Sequence, residues 1–269
     1  MKTISVANHK GGCAKTTVCM NLAVTLALGG SRVLAVDLDP QGNLSAGFGV
    51  DLEELEDTRR TSLRLMLDPG GDFSEYLVRV RPRVDLIPNC LDDEAEAIIM
   101  AADSRELLLK EKLDPAARQY DYCVIDTPPS LGTPTLNALA MADLTLAPID
   151  TGYFALLGIR QLRRKVARIS KKFSPDMQFL ALSTKYTAKR KLDQTVRQKV
   201  IERFGEDYVL ETVIPKLVAV EEAPTLEKAV VESHPESPAS FAFRKLVKEI
   251  KEVIGDEDSR PEAAIRDAR

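Results

Sequence analysis

Residues Asn8-His9-Lys10-Gly11-Gly12-Cys13-Ala14-Lys15-Thr16-Thr17 place two glycines, two lysines and two hydroxyls within one short stretch. Glycines let backbone N–H groups close around an anion, and a helix N-terminus behind them adds partial positive charge. A lysine at the end of such a loop reaches the β- and γ-phosphates of a nucleotide, and the next hydroxyl can ligate Mg²⁺. Lys15 and Thr16 stand at those two positions. The strict phosphate-loop pattern is not met, because His9 replaces its first glycine and Ala14 the glycine before the lysine. The deviant form, with an extra lysine (Lys10) ahead of Gly11-Gly12, does fit. A glycine-rich turn without a ligand would have no use for Lys10, Lys15 and Thr16 together.

Two carboxylates complete the candidate chemistry. Asp39 and Asp126 each close a β-branched run, and open α/β sheets bind ligands at the carboxyl ends of their strands. A pair of acids beside a phosphate loop suits Mg²⁺ and the positioning of a water. For Asp126 the competing role is a helix N-cap before Thr127-Pro128-Pro129, and the weaker one. Asp37 reads as structural.

These residues need a frame that brings loop and acids together. Strands are expected at residues 3–7, 32–36, 84–87, 122–125, 144–148, 179–183 and 209–214, and helices at 16–28, 92–113, 133–142, 155–172, 192–204 and 238–254. In the fourth helix Leu156, Ile159, Leu162, Val166 and Ile169 share one face. Strand–helix alternation implies right-handed crossovers and an α/β fold with a doubly wound, mostly parallel sheet flanked by helices, here of the P-loop NTPase type. One domain over 1–255 is expected, with a charged, poorly ordered tail at 256–269. Residues 51–60 are charged and patternless, and read as a surface excursion.

In order along nearly the whole chain, Lys10–Thr17, Val36-Asp37-Leu38-Asp39-Pro40-Gln41-Gly42-Asn43 and Val124-Ile125-Asp126-Thr127-Pro128-Pro129-Ser130-Leu131-Gly132 recur with Ile87-Pro88, Thr135-Leu136-Asn137-Ala138-Leu139, Ile214-Pro215 and Glu222-Ala223-Pro224. This set resembles the ParA/MinD family of deviant-Walker ATPases, and its ParA branch in particular. The resemblance implies ATP and Mg²⁺ as cofactors, held by Lys10, Gly11, Gly12, Cys13, Ala14, Lys15, Thr16 and Thr17, with Pro215 at the adenine pocket. It implies that Lys15 holds the β/γ-phosphates and Thr16 ligates the metal. Asp126 and Asp39 would reach the metal through water, and Asp39 would orient the attacking water. Lys10 would cross to a partner's phosphates when two subunits sandwich two ATPs, which links hydrolysis to dimerisation. Four positions depart from the family pattern. Ala14 replaces a glycine, at a cost on the order of 1 kcal/mol if that position needs φ > 0. Asp150 and Gly152 replace Gln and Glu, and Ala219 replaces an arginine implicated in DNA binding, which counts against the standard DNA contact.

Composition narrows the partners. The 269 residues are 44% apolar and 29% charged with a net charge of −4, so disorder is excluded for most of the chain, and any nucleic-acid site must be a local patch. Residues 160–203 hold 14 Lys and Arg against 3 Asp and Glu, an asymmetry suited to a phosphate backbone. Arg163, Arg164, Lys165, Lys185, Lys189, Arg190, Lys191 and Lys216 are the candidate contacts to non-specific double-stranded DNA. A solvated helix face is the plainer alternative, and the family resemblance tips the reading toward DNA. No apolar run suits a signal peptide or a membrane span, and four isolated cysteines suggest reduced thiols in a cytoplasmic protein; association with the nucleoid is what the family resemblance implies. Phe241, Phe243, Leu246, Val247, Ile250, Val253 and Ile254 could build a membrane-binding helix. Packing on the sheet is expected instead, since Asp256-Glu257-Asp258 would be repelled by anionic lipid.

The expectation is a ParA-type ATPase that forms an ATP-bound homodimer, coats DNA, and partitions or positions a plasmid, chromosome or protein cargo. A cargo-bound ParB-type or analogous partner would stimulate hydrolysis. With the first strand opening at residue 3, no helix-turn-helix domain ahead of it, and so no operator binding, is expected. Two alternatives stay open: a MinD-like ATPase at a membrane surface, and a nucleotide switch that binds only protein partners.

Overall fold

The β-branched run after Met1 becomes an inner strand of an eight-stranded sheet in the computed structural model, which describes residues 1–102, 105–150 and 155–255. The strands are β1 (Lys2–Val6), β2 (Val33–Asp37), β3 (Val78–Arg81), β4 (Val84–Ile87), β5 (Tyr122–Asp126), β6 (Leu144–Ile149), β7 (Gln178–Tyr186) and β8 (Val209–Pro215). Their spatial order is β3-β4-β2-β5-β1-β6-β7-β8, and only the β3–β4 pair is antiparallel. Strand order reverses around β1, which lies between β5 and β6; such a switch point opens a crevice at the carboxyl ends of the strands. Every residue of β2 and β5 is buried, as a parallel sheet covered on both faces requires.

The helices are α1 (Lys15–Leu28), α2 (Asn43–Gly47), α3 (Leu52–Thr58), α4 (Ser62–Leu67), α5 (Asp93–Ala101), α6 (Leu108–Leu113), α7 (Thr133–Met141), α8 (Ala155–Phe173), α9 (Lys191–Phe204), α10 (Val218–Glu222), α11 (Val230–Ser233) and α12 (Pro238–Val253). Alternate residues of each strand serve opposite faces. Val33 and Ala35 pack with α1, α11 and α12, whereas Leu34 and Val36 pack with α4, α5 and α6. A third cluster joins α7, α8 and α9 to Ala147, Ile149 and Phe179. The sheet is thus covered by helices on both faces, the doubly wound arrangement expected.

Several expectations are corrected. The helix expected over 92–113 is two helices, α5 and α6. The patternless stretch 51–60 is helical as α3: the Asp51 carboxylate accepts from the Glu53 and Glu54 N–H groups at 2.9 and 3.3 Å. Only Leu55 of α3 is buried, so no apolar periodicity marks it. Strand β3 and helix α4 were not expected at all. Helix α12 packs inward through Phe243, Leu246 and Ile250, as anticipated, whereas Phe241 and Val253 of the same set are exposed. From the same helix, the Glu249 carboxylate accepts from the Glu211 and Thr212 N–H groups of β8 at 2.6 and 3.1 Å. Among the described residues no helix is long and apolar enough to cross a membrane. Gly152 and the tail 256–269 lie outside the described residues.

Candidate active site

The loop between β1 and α1 is shaped by two left-handed residues. Gly12 has φ +71°, and Ala14, the N-cap of α1, has φ 71° and ψ 32°. The anticipated cost of a Cβ at position 14 therefore applies. The loop is fixed from neighbouring strand ends. The Asn8 amide donates to the Pro148 carbonyl at 2.5 Å and accepts the Lys10 N–H at 3.2 Å. The Thr184 hydroxyl donates to the Cys13 carbonyl at 3.0 Å.

This loop floors a cleft of about 460 Å³. Lys15, Thr16, Thr17 and Asp39 line one end, and Ile214, Pro215, Leu217, Val220 and Pro224 form an apolar wall at the other. Lys15 is only 7% exposed and has no ion-pair partner among the described residues. A buried ammonium with no carboxylate in direct contact is costly, and its place in the cleft suits an anionic ligand.

Thr16 donates its hydroxyl to Asp126 Oδ2 at 2.6 Å. Asp126 is fully buried, and its Oδ1 has no hydrogen-bond partner among the described residues. Asp37 lies directly beside it in the β2–β5 register. Burial raises the pKa of both acids; the neighbouring Asp126 charge adds to the rise at Asp37, while the Thr16 hydrogen bond and Lys15 offset part of it at Asp126. An orphaned carboxylate oxygen beside a threonine hydroxyl fits Mg²⁺, which takes few protein ligands and completes its shell with waters and phosphate oxygens.

Asp37, read from sequence as structural, anchors the loop that carries Asp39. Its Oδ1 accepts the Asp39 N–H at 3.0 Å, and its Oδ2 accepts the Ser45 N–H and hydroxyl at 2.9 and 2.8 Å. Asp39 in turn caps the Gln41 N–H at 3.1 Å. Gly42 follows at φ +61°, where a Cβ would come within 2.7 Å of the Asn89 carbonyl.

Lys10 does not line the cleft; its ammonium donates to both Asp150 oxygens, at 2.7 and 2.5 Å. The candidate DNA residues divide. Arg164, Lys189, Arg190 and Lys191 are exposed. Arg163 stacks over the Tyr208 and Phe204 rings, 4.2 and 5.3 Å from their centroids, and Lys165 donates to the Leu131 carbonyl. Burial, with Arg168 nearby, lowers the Lys165 pKa. Lys185 and Lys216 line the cleft itself. Among lining residues not singled out from sequence, Gln41, Asn43 and Pro129 fall inside quoted motifs, whereas Leu217 and Val220 carry no chemical signal beyond their apolarity.

The family model described as an AAA domain matches residues 1–179. The sporulation initiation inhibitor protein Soj of Bacillus subtilis is 35% identical over 93% of this chain and 98% of its own. The chromosome partitioning protein ParA of Caulobacter vibrioides is 34% identical over 98% of both chains. Among solved structures, cobyrinic acid a,c-diamide synthase from Mycobacterium smegmatis, with a bound ATP analogue and magnesium, superimposes with a TM-score of 0.80. It is 31% identical over 92% of this chain and 93% of its own.

Proposed function

The chain belongs to the ParA/MinD family of P-loop ATPases, and on that premise we propose that it binds and hydrolyses ATP to partition or position a cargo on DNA. The observation that carries this reading is the meeting in one cleft of the buried Lys15 ammonium and the Thr16 hydroxyl, with the Asp126 carboxylate buried directly behind Thr16.

Lys15 neutralises the terminal phosphates from within its own subunit, and the apolar wall around Pro215 takes the adenine. Thr16 would ligate Mg²⁺, with Asp126 and Asp39 reaching it through water, and the ion would there neutralise phosphate charge. Asp39, held by the Asp37 carboxylate through its N–H, orients the attacking water. Lys10 completes the site of a second subunit in an ATP-bound homodimer. A buried water-excluding sandwich of this kind strengthens each charge contact.

The exposed Arg164, Lys189, Arg190 and Lys191 bind duplex DNA through its phosphates and without sequence preference. The protein then acts in the cytoplasm, on the nucleoid, with a cargo-bound ParB-type or analogous partner stimulating hydrolysis. Burial of Phe243, Leu246 and Ile250 in the core argues against stable attachment to a membrane. Binding to a random-sequence duplex, measured across a salt series with ATP, ADP and no nucleotide, tests the reading. Tight, salt-sensitive binding only with ATP is expected; no binding in any state would contradict the DNA role.

A further inference from the structure

Sequence groups Lys185 with the basic stretch that ends in Lys189-Arg190-Lys191, but the structure separates them. Lys185 lies in the wall of the cleft, among Lys15, Pro215 and Lys216. Its backbone takes φ +52°, a left-handed conformation disfavoured for a residue with a Cβ and concentrated at functional sites. The flanking residues hold it there. The Thr184 hydroxyl bonds the Cys13 carbonyl inside the phosphate loop, and the Tyr186 carbonyl accepts the Lys216 N–H at 3.1 Å beside the apolar wall. The β7–β8 register shifts between Ala181 and Ser183 and again between Ser183 and Tyr186, so Lys185 sits at an irregularity near the end of β7. Lys185 therefore stands between the loop that takes phosphates and the wall that takes a base. Among the described residues its ammonium has no ion-pair partner.

We propose that Lys185 is a nucleotide contact, donating a charge-assisted hydrogen bond to the α-phosphate or sugar, the part of the ligand that ATP and ADP share. The assignment rests on reading the cleft as an ATP site. Lys15 then answers for the terminal phosphates and Lys185 for the middle of the molecule.

Titration calorimetry of the full chain with ATP and with ADP tests this, using Lys185→Ala, Lys185→Arg and Lys185→Gly. Loss of one charge-assisted bond should weaken both nucleotides by about tenfold in the alanine variant. Arginine should restore most of the affinity. Glycine accepts the left-handed backbone, so it should fold at least as stably as the native chain yet bind as weakly as the alanine variant, which separates the ammonium from the strain. At saturating ATP, Lys185→Ala should bind duplex DNA with the native affinity and salt slope. Native nucleotide affinity in the alanine variant, or a DNA defect at saturating ATP, would overturn the proposal. If the native chain bound neither nucleotide, the reading of the cleft would fall and this assignment with it.

Discussion

Lys10 is tied to Asp150 of its own chain: the ammonium reaches both carboxylate oxygens from across the β1–β6 junction. The two side chains remain 38% and 21% exposed. A lysine proposed to serve a second subunit is thus held, in the single chain, by a carboxylate at the end of β6. Engagement across a dimer has to break that pair first.

Asp150→Asn should therefore raise unstimulated ATP turnover severalfold. Stability should change by less than about 1 kcal/mol, because the pair reaches solvent. Steady-state phosphate release and thermal unfolding of the two proteins check both statements. Equal turnover would show that Asp150 does not restrain Lys10.

Ala14→Gly removes a Cβ from a residue at φ 71°. Relief of left-handed strain outweighs the extra freedom of the unfolded chain, giving a net gain of about 0.5–1 kcal/mol. For a chain of this size the midpoint of thermal unfolding should rise by about 2 °C. A lower midpoint would mean that the methyl group contributes packing beyond its strain.

Asp39→Ala removes the carboxylate proposed to orient water while leaving Lys15, Thr16 and Asp126 in place. Turnover should fall by about a hundredfold or more, with ATP binding retained. Size-exclusion chromatography with ATP should show a persistent dimer. A monomer under those conditions would separate Asp39 from the hydrolysis step.

Replacing Lys189, Arg190 and Lys191 together with alanine should weaken binding to unrelated duplexes equally. The dependence of log affinity on log salt should lose up to about 2.7 units of slope, since each phosphate contact contributes about 0.9. Nucleotide affinity should stay native. An unchanged slope would return these residues to the role of a solvated surface.

The central strands and the phosphate loop were legible because their signals are local: β-branched runs, glycines, and a lysine–threonine pair at a helix start. The strand at Val84–Ile87 matches its expected bounds. Edge elements were not legible. Strand β3 is a four-residue strand with two exposed and two half-buried positions, and α3 sends only Leu55 inward, so neither leaves a periodic trace. The site shows the same division. Thr16 and Asp126 could be named from motif position, but the Lys10–Asp150 pair joins residues 140 apart in sequence. The anchoring role of Asp37 likewise depends on Ser45 and Asp39 folding back onto one carboxylate.

The clasp of Glu249 on β8 bears on solubility. An outermost strand offers open backbone donors to any other chain, and pairing of that kind seeds fibres. Glu249 occupies the Glu211 and Thr212 donors, and the opposite border, β3, is a strand of only four residues whose Arg79 and Arg81 side chains are engaged by Asp85 and Glu232. Both lateral margins of the sheet are blunted. Copies of the chain can then crowd against one another without polymerising through their strands.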